Sequence, residues 1–416
     1  MTARPAHRAT TANLAALYPF QAASGLGCPR VLIGTERTGA AFSFDPWLLY
    51  PAVLTNPNML VAGQIGRGKS ALVKTLLWRA WNFGVRSAVL DPKGEYAGLA
   101  EKMGVEPVRL RPGSGARLNP LDAGPGAETL PEAEVARRRL NLLQSIVTAA
   151  LRRDLAPIEK AACQLALASV TDDVPTLPAV AAALLEPTEA AAAEIRTTRA
   201  DLARASRDVA LELRRLCAGD LAGMFDGEST VDVDWDGPAV VLDLSGLGDD
   251  GGLPILMACA TAWIQAAVAR PDAGRRFLVL DEAWRLLHHL GTARWLRSSL
   301  KLARQYGIAN VLVLHRLSDL VATGDAGSEQ RALSEGLLSD TETRVIYAQA
   351  DGEIGSAAEL LGLSAADRKG LPTLDRGTAL WIVGQHRFLV DHRLADDEWD
   401  LTHTDERMSD AAEAVA

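Results

Sequence analysis

The feature that most constrains this sequence is the stretch GQIGRGKS at residues 63–70. A short apolar run, Met59 to Ala62, comes directly before it, and apolar residues recur at helical spacing after it. The stretch therefore joins a buried strand to a helix. In such a place glycines let backbone N–H groups surround an anion, and the following helix adds the positive end of its dipole. The sequence predicts a phosphate-binding P-loop.

The P-loop motif also predicts what individual residues do. Lys69 is expected to reach the β- and γ-phosphates of ATP, and Ser70 to offer its hydroxyl to Mg²⁺. A glycine-rich turn without a ligand is the competing interpretation, and the strand and helix on either side disfavour it. The residues expected to contact the nucleotide are Gly63, Gln64, Ile65, Gly66, Arg67, Gly68, Lys69, Ser70 and Ala71.

A second, distant stretch carries two acids. Residues 277–280 are apolar and are followed by Asp281 and Glu282, as expected for a central parallel strand whose carboxyl end carries chemistry. Asp281 is expected to hold the Mg²⁺ shell, and Glu282 to orient or deprotonate an attacking water. A buried strand followed by an acidic helix cap is the alternative. The presence of a P-loop in the same chain favours the catalytic interpretation.

Composition sets limits on the class of protein. The 416 residues, 48% of them hydrophobic, suffice for a large core and a second domain. The four cysteines lie far apart without a CxxC pair, which indicates neither a zinc site nor a disulfide framework. A reducing cytoplasm fits best.

Contacts with membranes and DNA are constrained less tightly. Residues 1–11 lack the apolar region of a signal peptide, and no apolar run is long enough for a membrane span. Any membrane association is expected to be peripheral, through a partner at the inner face of the cell membrane. The net charge of -9 argues against a surface that grips DNA everywhere, but a local basic stripe or pore lining is compatible with it.

The pattern along the chain divides it into five parts. Residues 1–50 form an N-terminal arm with a hairpin, and residues 51–122 and 231–395 alternate strand and helix patterns. Residues 123–230 are rich in Ala, Arg, Glu and Leu at helical spacing, which predicts an all-helical insertion. Residues 396–416 are expected to be an acidic, loosely docked tail. The sequence therefore predicts an α/β fold interrupted by a helical domain.

One acidic cluster has two open interpretations. Asp91 ends the strand after the P-loop helix, and Glu95 follows four residues later. Both can face the nucleotide, or they can cap the short helix that begins nearby. The residues alone do not separate the two.

Motifs spread over nearly the whole chain carry a family resemblance. The sequence resembles the cytoplasmic motor ATPases of type IV secretion and conjugation systems, in the HerA/FtsK superfamily of P-loop proteins. Its arginine-heavy, lysine-poor usage looks like the actinobacterial branch. The P-loop is specific only to nucleotide binding, and the DPKGEY and LDEAW blocks point to the superfamily. The motifs are DPW at 45–47, GQIGRGKS at 63–70, VLDPKGEY at 89–96, NPLD at 119–122, LVLDEAW at 278–284 and HRLSD at 315–319.

The resemblance implies a RecA-like sheet and a ring, usually hexameric, that couples ATP hydrolysis to work. That work is moving DNA or protein, or building the secretion channel, so the implied partners are channel components and DNA or a relaxase–DNA complex. In such rings an arginine of the neighbouring subunit reaches the γ-phosphate. Arg304 and Arg344 are the positions to test, although an ordinary surface or packing role is the competing interpretation of each.

Two departures from the family pattern matter. The family usually has a threonine–glutamine pair after the fourth apolar strand, where this chain has His315-Arg316. Arg316 can contact a phosphate but cannot accept a hydrogen bond from water, and His315 is either a participant or a satisfied strand-end residue. The family's large N-terminal domain is nearly absent, which indicates an ATPase core.

A nucleotide-gated scaffold with little turnover and a DNA-pumping translocase are the alternative functions.

Overall fold

The computed structural model describes residues 25–124, 130–219, 221–246, 252–268, 273–316, 328–358 and 361–402. Motif residues 317–319, residues 1–24 of the predicted N-terminal arm and residues 403–416 of the predicted C-terminal tail lie outside these ranges. Within them, the strands are β1 Leu32–Glu36, β2 Ala41–Ser43, β3 Met59–Ala62, β4 Arg86–Asp91, β5 Val108–Arg109, β6 Ala239–Asp243, β7 Arg276–Leu280, β8 Ile308–Leu314, β9 Thr343–Ile346, β10 Thr378–Val383 and β11 His386–His392.

The longest run of helices lies between β5 and β6. They are α1 Pro46–Leu49, α2 Lys69–Trp81, α3 Ala97–Lys102, α4 Glu132–Leu151, α5 Pro157–Ser169, α6 Leu177–Leu185, α7 Glu189–Glu194, α8 Arg199–Ala218, α9 Leu253–Val268, α10 Trp284–Leu287, α11 Leu290–Ala303, α12 Glu329–Ser339, α13 Asp351–Ala357, α14 Ala365–Gly370 and α15 Trp399–Thr402.

In the described residues, all strands belong to one sheet of order β2-β1-β11-β10-β9-β3-β8-β7-β4-β6-β5. The part from β9 to β5 is parallel, and β10, β11, β1 and β2 extend it with antiparallel pairs. The carboxyl ends of the parallel strands therefore meet at one edge. The fold is α/β with a RecA-like sheet, as predicted.

Both faces of the sheet are covered because its strands are apolar on both sides. Successive residues of β3 alternate between two cores: Leu60 and Ala62 pack with the helices of the insertion side, and Met59 and Val61 pack with α2 and α3. The insertion, α4 to α8, thus shares a core with the sheet rather than standing apart from it.

One helix of the insertion is fastened to the sheet domain at two places. At one end Gly291, in α11, approaches Ser145 and Ala149 of α4 so closely that a Cβ at this position would overlap their backbone. At the other end the Tyr306 ring lies 4.9 Å from the Arg138 guanidinium. Helices α4 and α11 therefore run side by side along most of their length.

The predicted tail needs a correction. The strand β11 continues to His392, and a 3-10 turn at Asp396–Glu398 leads into α15. Glu398 is buried and pairs with Arg79 of α2, and Leu401 is buried in the core beside α2 and α3. Residues 396–402 are thus packed against α2 and α3, because this mostly polar stretch contains one buried apolar residue and one buried ion pair.

One smaller expectation is also corrected by the structure. The strand expected from Val105 to Arg111 shrinks to β5, a two-residue pair at the sheet edge. The four cysteines are free and buried. None of the described helices combines the length and the apolar character that crossing a membrane needs.

Candidate functional site

The P-loop connects β3 to α2 as the sequence predicts. Gly66 and Gly68 have φ angles of 76° and 111°, which L side chains rarely adopt, and Gly68 precedes the first residue of α2 without a side-chain cap. A Cβ on Gly63 would overlap the Tyr347 side chain. The loop therefore needs its glycines, and the uncapped N–H groups of α2 give a site suited to an anion.

Lys69 lies at the centre of this loop. Its Nζ donates to the carbonyl oxygens of Gly63 at 2.6 Å and Gln64 at 3.0 Å, and its side chain is buried. The pKa of Lys69 is lowered to about 8, chiefly by burial and also by the charge of Lys93, whereas the charge of Asp281 opposes both. A buried cation of this kind is stabilised by an added anion such as a phosphate.

Asp281 lies at the carboxyl end of β7 and is buried. Its pKa is raised to about 7, chiefly by burial and also by the charges of Glu95 and Glu282. A buried carboxylate beside two other acids is suited to a cation, and Mg²⁺ is commonly held by one carboxylate together with a hydroxyl, water and phosphate oxygens. Asp281 and Ser70 fit this pattern, although the described residues contain no cluster of three or more His, Cys, Asp or Glu arranged for a metal.

Glu282 is held by three side chains. Its Oε1 pairs with Lys93 and accepts a hydrogen bond from His315, and its Oε2 accepts one from the Trp284 indole. Burial opposes ionisation, but His315 and Lys93 outweigh it and lower the pKa of Glu282 to about 2. The backbone φ of 54° is left-handed for a residue with a side chain, which is the kind of strain found at functional sites.

The sheet order explains this cluster. Strand β7 lies between β8 and β4, so the residues that follow these two strands lie beside Glu282. These are His315, which follows β8, and Lys93, which lies two residues after β4. Lys93 Nζ lies 2.8 Å from His315 Nε2. Sequence reasoning gave Lys93 and Trp284 no individual role, and their signals were a place next to a strand end and membership of the DPKGEY and LDEAW blocks.

The acids after β4 now have distinct roles. Asp91 Oδ1 accepts hydrogen bonds from the backbone N–H groups of Lys93, Gly94 and Glu95, and its Oδ2 accepts one from that of Tyr96. Asp91 therefore caps the turn, and it holds the backbone of Lys93 in place. Glu95 lies close enough to Asp281 for its charge to raise the pKa of that acid.

The three arginines predicted to be catalytic are placed differently. Arg316 follows His315, is 67% exposed, and lies 3.8 Å from the Glu353 carboxylate. Arg304 is exposed at the end of α11. Arg344 is partly buried and donates to the carbonyl oxygens of Leu338 and Thr341 at the end of α12. This engagement argues against Arg344 as the residue that reaches a neighbouring subunit, whereas Arg304 stays a prediction.

A separate cavity of about 340 Å³ lies between α4, α9 and α11. None of its lining residues belongs to the P-loop or to the strand ends. Its arginines are engaged with neighbours, as with Arg294 on Asp154 and Glu329 and Arg139 on the Leu121 carbonyl. The charges that suit a nucleotide are therefore at the sheet edge and not in this cavity.

The fold and this edge define a P-loop NTPase with a RecA-like sheet. Residues 46–250 match the family model for the central domain of helicase HerA, DUF87. The resemblance to the HerA/FtsK superfamily that the sequence predicted is confirmed by this match. A comparison with curated protein sequences finds no significant match.

Solved structures share the fold over most of the chain. VirB4 of Thermoanaerobacter pseudethanolicus is 23% identical to this chain and superposes with a TM-score of 0.72. The match covers 90% of this chain and 100% of that chain. The plasmid coupling protein TrwB, in complex with the non-hydrolysable ATP analogue ADPNP, is 15% identical, with a TM-score of 0.60 over 89% of this chain and 90% of that chain. TrwB in complex with ADP and Mg²⁺ is also 15% identical, with a TM-score of 0.57 over 89% and 91%.

Proposed function

We propose that this protein is an ATP-hydrolysing motor of a type IV secretion or conjugation system. The observation that carries the proposal is the edge of the sheet, where β8 alone separates the P-loop strand from the strand that ends in Asp281 and Glu282. This order brings a phosphate-binding loop, a buried carboxylate and an ionised glutamate to one place.

Each group then has a task in hydrolysis. Lys69 and the N–H groups of the loop stabilise charge on the phosphoryl group that is transferred. Ser70 and Asp281 would hold Mg²⁺, which neutralises charge on the phosphates. Glu282 orients the water that attacks in line with the leaving group. The low pKa of Glu282 favours orientation of water by an ionised acceptor.

The proposed mechanical task involves other copies and other proteins. The chain would assemble as a ring, with a hexamer as the expected size, and Arg304 of a neighbour would reach the γ-phosphate. Hydrolysis would then alter subunit contacts and move DNA, a relaxase–DNA complex or a protein, or assemble the channel. We place this ring in the cytoplasm, peripheral to the membrane through channel components. The likeness to proteins named VirB4 and coupling protein TrwB supports this assignment.

ATP turnover against protein concentration, with and without DNA, tests the proposal. Lys69→Ala is the blank, because it removes the cation from the loop. Turnover per chain that rises steeply with concentration would support a site completed between subunits. Stimulation by DNA would favour a DNA motor over a protein-secretion ATPase. Turnover at the level of the blank in every condition would overturn the motor assignment.

Two alternatives have their own supporting observations. The His315-Arg316 pair, in place of the pair usual in the family, favours a nucleotide-gated scaffold with little turnover. The match to the HerA central domain favours a DNA-pumping translocase outside secretion. ATP binding without turnover would select the scaffold, and turnover that depends strictly on DNA without any channel partner would select the pump.

A further inference from the structure

We propose that Lys93 senses the third phosphate of the nucleotide: it pairs with Glu282 in this structure and passes to the γ-phosphate of a bound nucleoside triphosphate, which frees Glu282 for water. This inference rests on the proposed function, since it concerns the same site. It assigns a role to a residue of the DPKGEY block that the hydrolysis chemistry above does not use.

The first support is the occupancy of the Glu282 carboxylate. A carboxylate oxygen has two lone-pair positions, and Oε1 has both Lys93 and His315 against it. The other oxygen, Oε2, is bound by the Trp284 indole. Oε1 therefore cannot accept from a water until one donor leaves. Oε2 keeps a second lone-pair position, so it is Oε1, the oxygen against Lys93, that the exchange would make available to water.

The second support identifies which donor can leave. The Nε2 of His315 contacts both Glu282 Oε1 and Lys93 Nζ, and it cannot donate to the first and accept from the second at once. Because a carboxylate only accepts, His315 donates to Glu282, and Lys93 then faces the N–H of His315 without a bond between them. His315 can keep Glu282 in position after the Lys93 ammonium has moved away.

The third support concerns where the Lys93 ammonium can move. Asp91 fixes the Lys93 backbone, and the long side chain is 36% exposed, so the ammonium can swing from a fixed base. The charge of Lys93 also lowers the pKa of Lys69, which shows that the two ammonium groups converge on one region. Two ammonium groups in one region are neutralised better by a triphosphate, which carries the extra charge of the γ-phosphate, than by a diphosphate.

Binding of ADP and ADPNP in the presence of Mg²⁺, measured by calorimetry, tests the inference. For Lys93→Met we expect ADPNP to bind about tenfold more weakly and ADP to change less than about twofold, since one charged contact to the third phosphate is lost. Lys93→Arg, which keeps a cation, should restore most of the preference for ADPNP. Lys301→Met, an exposed lysine on α11, is the matched control and should change neither affinity.

A double-mutant cycle tests the exchange itself. Glu282→Gln removes the charge that holds Lys93, so we expect it to strengthen ADPNP binding about fivefold. In the Lys93→Met background the same change should have little effect. If the strengthening persists without Lys93, it is a general charge effect and the exchange is wrong.

The two proposals fail in different ways. A folded wild-type protein that binds neither ADP nor ADPNP would remove the proposed function. A wild-type protein that binds both, with a Lys93→Met variant that weakens both equally or neither, would overturn the role of Lys93 and leave the proposed function in place.

Discussion

Two regions of this protein bury charged groups, and they treat them in opposite ways. At the C-terminal segment, Arg79 of α2 donates to the Glu398 carboxylate, with 2.7 Å between Nε and Oε1. The same guanidinium donates to the carbonyl oxygens of Leu32, Ile33 and Arg393. Every polar group of this ion pair thus has a hydrogen-bond partner within the chain, which suits a purely structural role.

At the nucleotide edge the charges are left unbalanced. The pKa of Asp281 rises to about 7 because burial and the neighbouring acids oppose its charge, and burial brings the pKa of Lys69 down to about 8. Such groups cost the folded chain stability and are stabilised by ligands that bring the missing charges. The contrast separates a region built to hold the fold from a region built to bind.

Loss of the glutamate that orients the attacking water should give the largest effect. We expect Glu282→Gln to lower ATP turnover by about 10²- to 10³-fold or more, because a carboxamide orients water poorly and cannot take a proton. Steady-state phosphate release measures this, with exposed Glu194→Gln of α7 as control. A Glu282→Gln variant with wild-type turnover would remove Glu282 from the mechanism.

Breaking the structural ion pair should act on stability alone. Arg79→Met leaves Glu398 buried without its partner, so the free energy of unfolding should fall by about 3 to 5 kcal/mol. Urea titration measures the loss, and ADP affinity of the folded variant should stay within about twofold of wild type. Exposed Arg214→Met of α8 is the control. A changed ADP affinity at constant stability would contradict the division between the two regions.

Neutralising the buried acid should have the opposite sign. A raised folded pKa means that the unfolded Asp281 loses its proton first, so the free energy of unfolding falls as the pH rises from about 4 to 7. Asp281→Asn should therefore stabilise the nucleotide-free protein by up to about 4 kcal/mol at pH 7, and by little at pH 4. Urea titrations at both pH values check this. The same variant should bind ATP with Mg²⁺ more weakly, and a loss of stability at pH 7 would refute the account.

A histidine beside the structural ion pair gives the smallest effect. Burial, then the charge of Arg79, lowers the pKa of His392 to about 4, against a smaller opposing effect of Glu398. Its Nε2 lies 2.9 Å from the Thr75 hydroxyl. Because the unfolded chain binds the proton first, the free energy of unfolding should fall by about 2 kcal/mol as the pH drops from 6.5 to 4.5. His392→Gln should flatten this dependence, and exposed His386→Gln should leave it unchanged.

The sequence predicted those parts of the fold and site whose cause is local. The P-loop follows from glycines between an apolar strand and a helix, and Asp281 and Glu282 follow from their place after an apolar run. The contacts of Glu282 could not be predicted in this way, because the order β8-β7-β4 is a property of the sheet and not of any one segment. Likewise, nothing near Glu398 in the sequence shows that it will meet Arg79 of α2.

The fastening of α4 to α11 has a mechanical consequence. A pair of helices locked at Gly291 and again at Tyr306 cannot slide or open like a hinge, so it behaves as one stiff beam. The 20 residues of α4 make this beam about 30 Å long. A tilt of about 10° at one end would displace the other by about 5 Å, which is close to the rise of one helical turn. Small movements of the chain beside Glu282, just before α10 and α11, would thus become larger displacements in the insertion.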